Sequence, residues 1–180
     1  MFGLLKTKNP YEQNAKCVYG TLLSYIRNPV FYERFGVPDT LDGRFDLLLL
    51  HGYMVIDYML GQEDSKASQN FNQALFDVTF ADMDQTLREI GIGDMGLPKH
   101  MRRMMKAFNG RVHAYSEAVK EGTLQQALHQ NLYGTAPETD EKALEKMASY
   151  VDKQRLYIAK NNTQSAVLSG EIRLMDLNNE

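Results

Sequence analysis

The chain has 180 residues, of which 43% are apolar and 24% are charged. These values fit one soluble folded domain and exclude collagen-like, low-complexity and wholly disordered proteins. The formal net charge of −3 gives no overall basic field, so we predict no specific binding to DNA. The one cysteine cannot form an internal disulfide, which favours a reducing compartment.

We find no targeting signal or membrane span in the sequence. Met1 to Lys8 is apolar and basic, but it is too short for the apolar region and cleavage site of a secretory signal. The longest apolar run, Leu47 to Leu60, is interrupted by His51 and Asp57, whereas a spanning helix needs roughly 20 mostly apolar residues. We therefore expect a cytoplasmic protein, or one that lies peripherally on the inner face of the cytoplasmic membrane.

Apolar residues recur with helical spacing along most of the chain, and no alternating strand pattern occurs. This pattern predicts an all-α fold, with a single compact multi-helix domain over residues 1–165 and a polar tail, residues 166–180. We expect the chain to fray beyond Asn161, although Ile172, Leu174 and Leu177 could dock weakly. Proline, glycine and asparagine positions predict the following elements in chain order: a helix from Asn9-Pro10 to about Ile26, a short helix after Pro29, a turn over Gly36–Asp39, helices over Leu41–Leu60, Ser68–Ile90, Pro98–Glu121 and Thr123–Leu132, a linker over Gly134–Pro137, and a last helix carrying Leu144 to Ile158.

Two polar residues lie on apolar faces of predicted helices, namely His51 and Asp82. A single histidine on a core helix is most often a structural group with satisfied hydrogen bonds. A carboxylate on an apolar face is costly unless a cation pairs with it. We therefore predict that His51, Asp82 and Arg111 are buried polar groups, and that Asp82 pairs with Arg111 or Arg44.

The segment Gly91-Ile-Gly-Asp-Met-Gly96 contains the three glycines of a dinucleotide-binding fingerprint. That fingerprint requires a strand before the loop, whereas a helix is predicted here, and Asp94 would repel a phosphate. We interpret the segment as a tight connection in which Gly91 or Gly93 takes a positive φ angle.

The sequence contains no recognisable catalytic or metal-binding constellation. The carboxylates between Asp77 and Asp94 do not have the spacing of a calcium loop, and the Glu-x-x-His motifs of a di-iron site do not occur. We predict no catalytic residue, no metal and no cofactor. The alternative is an all-α enzyme that binds a metal or cofactor through His51 and Asp82.

The predicted Pro98–Glu121 helix has two distinct faces. One is an apolar stripe that includes three methionines, and the other carries four cations. Such a face is either solvated or a contact for anionic lipid, ribosomal RNA or an acidic protein. With the adjoining loops, it supplies our candidate partner-binding residues: Asp39, Arg44, Gly91, Gly93, Asp94, Lys99, Arg102, Arg103 and Lys106.

With these residues in view, the sequence resembles the ubiquinol–cytochrome c chaperone family, in its compact bacterial form. The resemblance extends over roughly residues 10 to 120, and Asn109 stands where relatives often have an aromatic residue. It is carried by the segments Gly36-Val-Pro-Asp-Thr40, Asp42-Gly-Arg-Phe-Asp-Leu-Leu-Leu-Leu-His51, Gln73-Ala-Leu-Phe-Asp77, Asp82-Met-Asp-Gln-Thr-Leu-Arg-Glu-Ile-Gly-Ile-Gly-Asp94, Lys99, and Met104 to Tyr115.

The resemblance implies an all-α, non-enzymatic protein that assists assembly of the respiratory ubiquinol–cytochrome c reductase. In mitochondrial relatives it implies binding of newly made cytochrome b, together with a small partner protein, near the ribosomal exit. It supplies no catalytic residue. We therefore expect a chaperone whose partners are cytochrome b or another membrane protein, the ribosome, a small partner protein or an anionic membrane surface. The rival functions are the enzyme named above and a membrane-surface adaptor.

Overall fold

The structure, a computed structural model, describes residues 9–136 and 138–177. Within these residues the chain forms eight helices and no strand, in agreement with the helical periodicity of the sequence. Met1 to Lys8, where we expected no secretory signal, and Pro137, the end of the predicted linker, lie outside the described residues. The helices are α1 (Glu12–Ile26), α2 (Val30–Glu33), α3 (Leu41–Leu60), α4 (Ser65–Glu89), α5 (Leu97–Glu121), α6 (Leu124–Asn131), α7 (Glu141–Asn161) and α8 (Gln164–Leu168).

Short polar side chains and glycines set several helix ends. The Thr40 hydroxyl accepts a hydrogen bond from the Gly43 amide at 3.0 Å and begins α3, and Asp64 does the same for α4 through the Ala67 amide. These bonds satisfy amides that have no partner within the helix. Gly122 ends α5 with a left-handed φ of 70°.

The apolar residues that surround α3 on all sides make it the central element. Leu47, Leu50, Val55 and Met59 are fully enclosed, and α1, α4, α5 and α7 all pack against this helix. A helix that is apolar all round must be buried on all sides, because no face of it can be left to water. The prediction of an all-α fold in one compact domain is confirmed.

The chain beyond Asn161 does not fray within its described part, so the expected fraying is wrong, and the docking that the sequence left open for Ile172 and Leu177 is what occurs. Val167, Ile172 and Leu177 are buried in the core. Side chains of distant helices bind the backbone of this segment: Tyr25 donates to the Met175 carbonyl at 2.7 Å, and Gln154 accepts from the Met175 amide at 3.0 Å. The segment has few apolar residues, but remote polar groups hold it. The division between residues 1–165 and 166–180 stays a prediction.

Candidate functional site

The first half of α5 presents the predicted basic face to water. Lys99, Arg102, Arg103 and Lys106 are all exposed, as their spacing predicted. At 100° per residue they fall within one sector, and Phe108 and Tyr115 on the opposite side are buried in the core. Among the described residues, no ion pair involves any of the four cations.

A groove of about 350 Å³ runs beside this face, between the first turns of α3, the end of α4 and the first half of α5. Its walls are largely apolar, and Arg103 belongs both to the basic face and to the groove. The residues that line it are Leu41, Asp42, Phe45, Asp46, Met83, Thr86, Leu87, Ile90, Ile92, His100, Arg103, Met104, Ala107, Arg111 and Thr135.

Large apolar side chains are exposed at the rim of the groove and in the loop between α4 and α5. Leu41 is 48% exposed and Ile90 is 57% exposed, and Met95 in the loop is 99% exposed. Met104 in the wall is only half-buried. Adjoining apolar side chains left in water on a soluble protein mark an interaction site more often than chance would produce.

The wall of the groove contains a buried ion pair between α3 and α5. Arg111 Nη2 lies 2.9 Å from Asp46 Oδ1, and Arg111 also donates through Nε to the Asn131 carbonyl at 3.2 Å. Burial raises the pKa of Asp46 to about 7, and the nearby Asp42 acts in the same direction, although the Arg111 guanidinium opposes both. The pair therefore holds a carboxyl group that is easily protonated near neutral pH.

The predicted partner of Arg111, Asp82, is not part of this pair. Asp82 is half-buried on α4 and accepts a hydrogen bond from the Tyr19 hydroxyl at 2.7 Å. The other proposed partner, Arg44, pairs instead with Asp39 at the surface. The prediction of a buried Asp82–arginine pair is wrong, because a neutral hydroxyl satisfies this half-buried carboxylate. Arg111, predicted to be buried, is half-buried.

His51 is a buried structural group, as predicted. Its Nδ1 is 2.8 Å from the Leu47 carbonyl and its Nε2 is 2.7 Å from the Tyr150 hydroxyl, so both ring nitrogens are engaged. Burial lowers the pKa of His51 to about 4, and the ring is therefore neutral at physiological pH. With both nitrogens occupied, the ring has no free position for a metal or a substrate.

The two loops predicted to contact partners flank the groove. Asp39 and Arg44 form an exposed ion pair at 2.6 Å next to Leu41. In the loop between α4 and α5, Asp94 is held by Arg88 at 2.6 Å. Gly91 has a φ of +91°, which confirms that a glycine in this loop adopts a left-handed conformation, whereas Gly93 does not.

The structure thus brings together most of the candidate residues at one end of the molecule. It adds residues that the sequence analysis did not select: Leu41, Asp46, Ile90, Met95 and His100. One signal for Asp46 was present, since a charged residue in the Phe45–Leu50 run of α3 needs a partner wherever it faces. The assignment of the candidates to partner binding stays a prediction.

Within the described residues, no group of three or more histidine, cysteine or carboxylate side chains is placed to hold a metal ion. In the same part of the chain, none of the helices is both long enough and apolar enough to cross a membrane. The chemistry that this end of the molecule offers is apolar contact, a cationic surface and one ion pair with a raised carboxyl pKa. These are features of a binding surface.

Comparisons with known proteins give one consistent result. The profile of the family described as ubiquinol–cytochrome C chaperone matches residues 33–174. The crystal structure of the Cbp3 homolog from Brucella abortus superimposes with a TM-score of 0.78 and 32% sequence identity, over 96% of this chain and 94% of that one. The ubiquinol-cytochrome-c reductase complex assembly factor 1 of Xenopus laevis is 26% identical over 86% of this chain and 77% of its own length.

Two other relatives are considerably longer than this chain. Ubiquinol-cytochrome c reductase complex assembly factor 1 of Mus musculus is 27% identical over 79% of this chain, and mitochondrial Protein CBP3 of Saccharomyces cerevisiae is 27% identical over 81% of it. The matched regions span 48% and 44% of these two proteins, so this chain corresponds to about half of each.

Proposed function

Because the chain belongs to the ubiquinol–cytochrome c chaperone family, we propose that it is a non-enzymatic assembly chaperone of the ubiquinol–cytochrome c reductase that binds newly made cytochrome b. The family is one of chaperones and not of enzymes. The relatives are named as assembly factors of this reductase, which supports a partner within that complex. In this proposal the bound segment of cytochrome b lies in the groove between α3, α4 and α5.

The observation that carries the proposal is the exposed apolar rim of that groove. Leu41 and Ile90 are each about half exposed on either side of a cleft with apolar walls. Within the cleft, Asp46 pairs with Arg111, so these two charges offset each other. A neutral, apolar cleft suits an apolar segment of a membrane protein, and half-buried methionine side chains can adapt to its shape.

The place of action follows from the client, the protein whose assembly is assisted. A membrane protein is inserted as it is made, so a soluble chaperone must meet it beside the ribosome at the inner face of the membrane. We therefore propose a cytoplasmic chain that acts peripherally there. The ribosome and a small partner protein are further contacts that the family resemblance implies.

The experiment compares two pairs of apolar residues, each of them about half exposed or slightly more. Leu41→Glu with Ile90→Glu places charge at the rim of the groove, and Leu60→Glu with Leu156→Glu places the same charge elsewhere, at residues that are 58% and 60% exposed. Each double variant replaces the chromosomal copy. The measurements are assembled reductase and the cytochrome b absorption band, with another respiratory complex as control.

We expect the rim variant to lower reductase and cytochrome b together, and the Leu60 and Leu156 variant to behave as the parent. A photocrosslinker at Ile90 should capture cytochrome b, and one at Leu60 should not. A deletion strain with normal reductase would overturn the function. Loss of reductase in the deletion strain, with a fully active rim variant, would overturn only the assignment of the groove.

A further inference from the structure

The cations of α5 form an unneutralised surface patch. Lys99, Arg102, Arg103 and Lys106 lie within three turns, and no other described residue forms an ion pair with them. The protein as a whole has a net charge of −3, so four cations on one face give a local field opposite to that of the molecule. A surface of this kind attracts anions.

The acidic residues nearest to the patch in sequence are largely satisfied by other partners. Arg88 binds both Asp84 and Asp94, at 2.8 and 2.6 Å. Glu89 accepts a hydrogen bond from Gln85 at 2.8 Å. These contacts lie at the end of α4 and in the loop, and they leave the cations of α5 free to meet an outside partner.

The loop before α5 adds an apolar tip to this charged face. Met95, at 99% exposure, stands two residues before Leu97, the first residue of the helix, and four residues before Lys99. Ile90, at the start of the loop, is 57% exposed. Gly91, with a φ of +91°, follows Ile90 at the start of this loop, and the loop leads directly into the amino terminus of α5.

We infer that this end of the molecule is a docking surface for an anionic lipid bilayer, with the α5 cations on the headgroups and Met95 inserted among the acyl chains. Charge complementarity fixes the sign of the partner, at about 1 kcal/mol per cation near an anionic bilayer. The exposed apolar tip distinguishes a bilayer from RNA. Bases bind by stacking on aromatic rings, and Met95 and Ile90 offer none. This inference rests on the proposed function only for its place in the cell.

Vesicle binding tests the charged part of the surface. The parent protein should float with vesicles of phosphatidylcholine and phosphatidylglycerol in equal amounts, but not with phosphatidylcholine alone, and added salt should release it. Replacing Lys99, Arg102, Arg103 and Lys106 with glutamine should weaken this binding at least about tenfold. The matched control replaces four other exposed lysines with glutamine, which makes the same change in net charge: Lys66, Lys142, Lys146 and Lys160.

A fluorescence measurement tests insertion of the tip. The chain contains no tryptophan, so Met95→Trp introduces a single reporter. Its emission should shift to shorter wavelength on anionic vesicles, whereas that of Leu60→Trp, at a site 58% exposed elsewhere, should not shift. Met95→Gln should lower vesicle affinity several-fold without changing its salt dependence.

Two outcomes would overturn the inference. One is equal vesicle binding by the parent, the α5 variant and the matched control. The other is salt-sensitive binding to RNA, with no fluorescence shift of Met95→Trp on vesicles, which would identify the patch as a site for a polyanion. Both are measured on purified protein, so they are independent of whether reductase assembly fails in the cell.

Discussion

In the middle of α3, His51 is enclosed by two hydrogen-bond partners and by aromatic rings, whereas five residues earlier Asp46 has a single arginine at the wall of an open groove. Both groups are almost fully buried, and burial shifts the pKa of each toward its neutral form. The surroundings of His51 are complete without a partner protein. Asp46 is also buried but lies in the wall of the groove, so one part of α3 builds the core and the other borders the candidate site.

The largest expected effect comes from removing one partner of the groove ion pair. Arg111→Met leaves Asp46, whose side chain is 6% exposed, without its cation. At pH 8, where the parent carboxyl is ionised and paired, we expect a loss of about 3 kcal/mol in the free energy of unfolding, measured by urea denaturation, because the variant must keep an unpaired buried charge or take up a proton. Arg44→Met removes the same kind of pair where Asp39 is 56% exposed, and its stability should stay close to that of the parent. Equal losses in the two variants would refute the contrast.

The second effect is a pair of opposite pH dependences. The folded pKa of Asp46, about 7, exceeds the ordinary value of 3.8, so its contribution to stability is full below pH 3.8 and is lost as the pH rises to about 7. The folded pKa of His51, about 4, lies below 6.5, so its contribution is present above pH 6.5 and is lost as the pH falls to about 4. Because one pKa unit corresponds to about 1.4 kcal/mol, each effect amounts to a few kcal/mol over its full pH range.

Urea unfolding of two variants from pH 4 to 7 separates these contributions. Relative to the parent, Asp46→Asn should gain stability as the pH rises, and His51→Gln should lose it. If the stability difference between variant and parent changed with pH in the same direction for both variants, the proposed contrast between Asp46 and His51 would be wrong.

A third effect concerns two glycines of α3, Gly43 in its first turn and Gly52 next to His51. A Cβ on Gly43 would overlap the carbonyl group of Pro38, which crosses the first turn of α3, whereas a Cβ on Gly52 would meet nothing within 4 Å. We expect Gly43→Ala to lower stability by at least about 1 kcal/mol, because backbone must move to admit the methyl group. Gly52→Ala should be neutral or stabilise by about 0.5 kcal/mol. Thermal melts of both variants decide the point, and the prediction fails if Gly43→Ala melts at or above the parent.

The smallest effect lies in the loop beyond the groove. Gly91→Ala places a side chain at a φ of +91° and should cost roughly 1 kcal/mol, measured by thermal denaturation. Gly93→Ala is the control, since this residue has no positive φ and open space around its Cα. A larger loss for Gly93→Ala than for Gly91→Ala would show that the loop conformation is not the cause.

Much of the architecture follows from local sequence signals. The bounds of α3 agree with the prediction at both ends, because Thr40 supplies a cap and Gly61 a stop. α4 begins three residues earlier than predicted, since Asp64 caps it. The candidate cations of α5 are exposed because the apolar stripe opposite them faces the core.

The groove was harder to predict, for a physical reason. In a helix that is apolar all round, periodicity does not show which neighbour each side chain meets, so the direction of Asp46 was hidden. Its partner Arg111 lies 65 positions away in another helix, and Asp82 was as plausible an acid for it. The packing of Ile172 and Leu177 was likewise decided by remote groups, such as the Tyr25 hydroxyl, that no local pattern links to them.

The segment after α7 has a consequence for the order in which the protein folds during translation. Tyr25 in α1 donates to a carbonyl 150 positions later, and Asn14 donates to the Leu168 carbonyl, 154 positions later. Contacts of such long sequence separation form slowly, because a large loop must close before they repay its entropy. The contacts between α1 and residues 168–175 are therefore completed only after this segment has left the ribosome, later than the packing of α1 on α3 and α4.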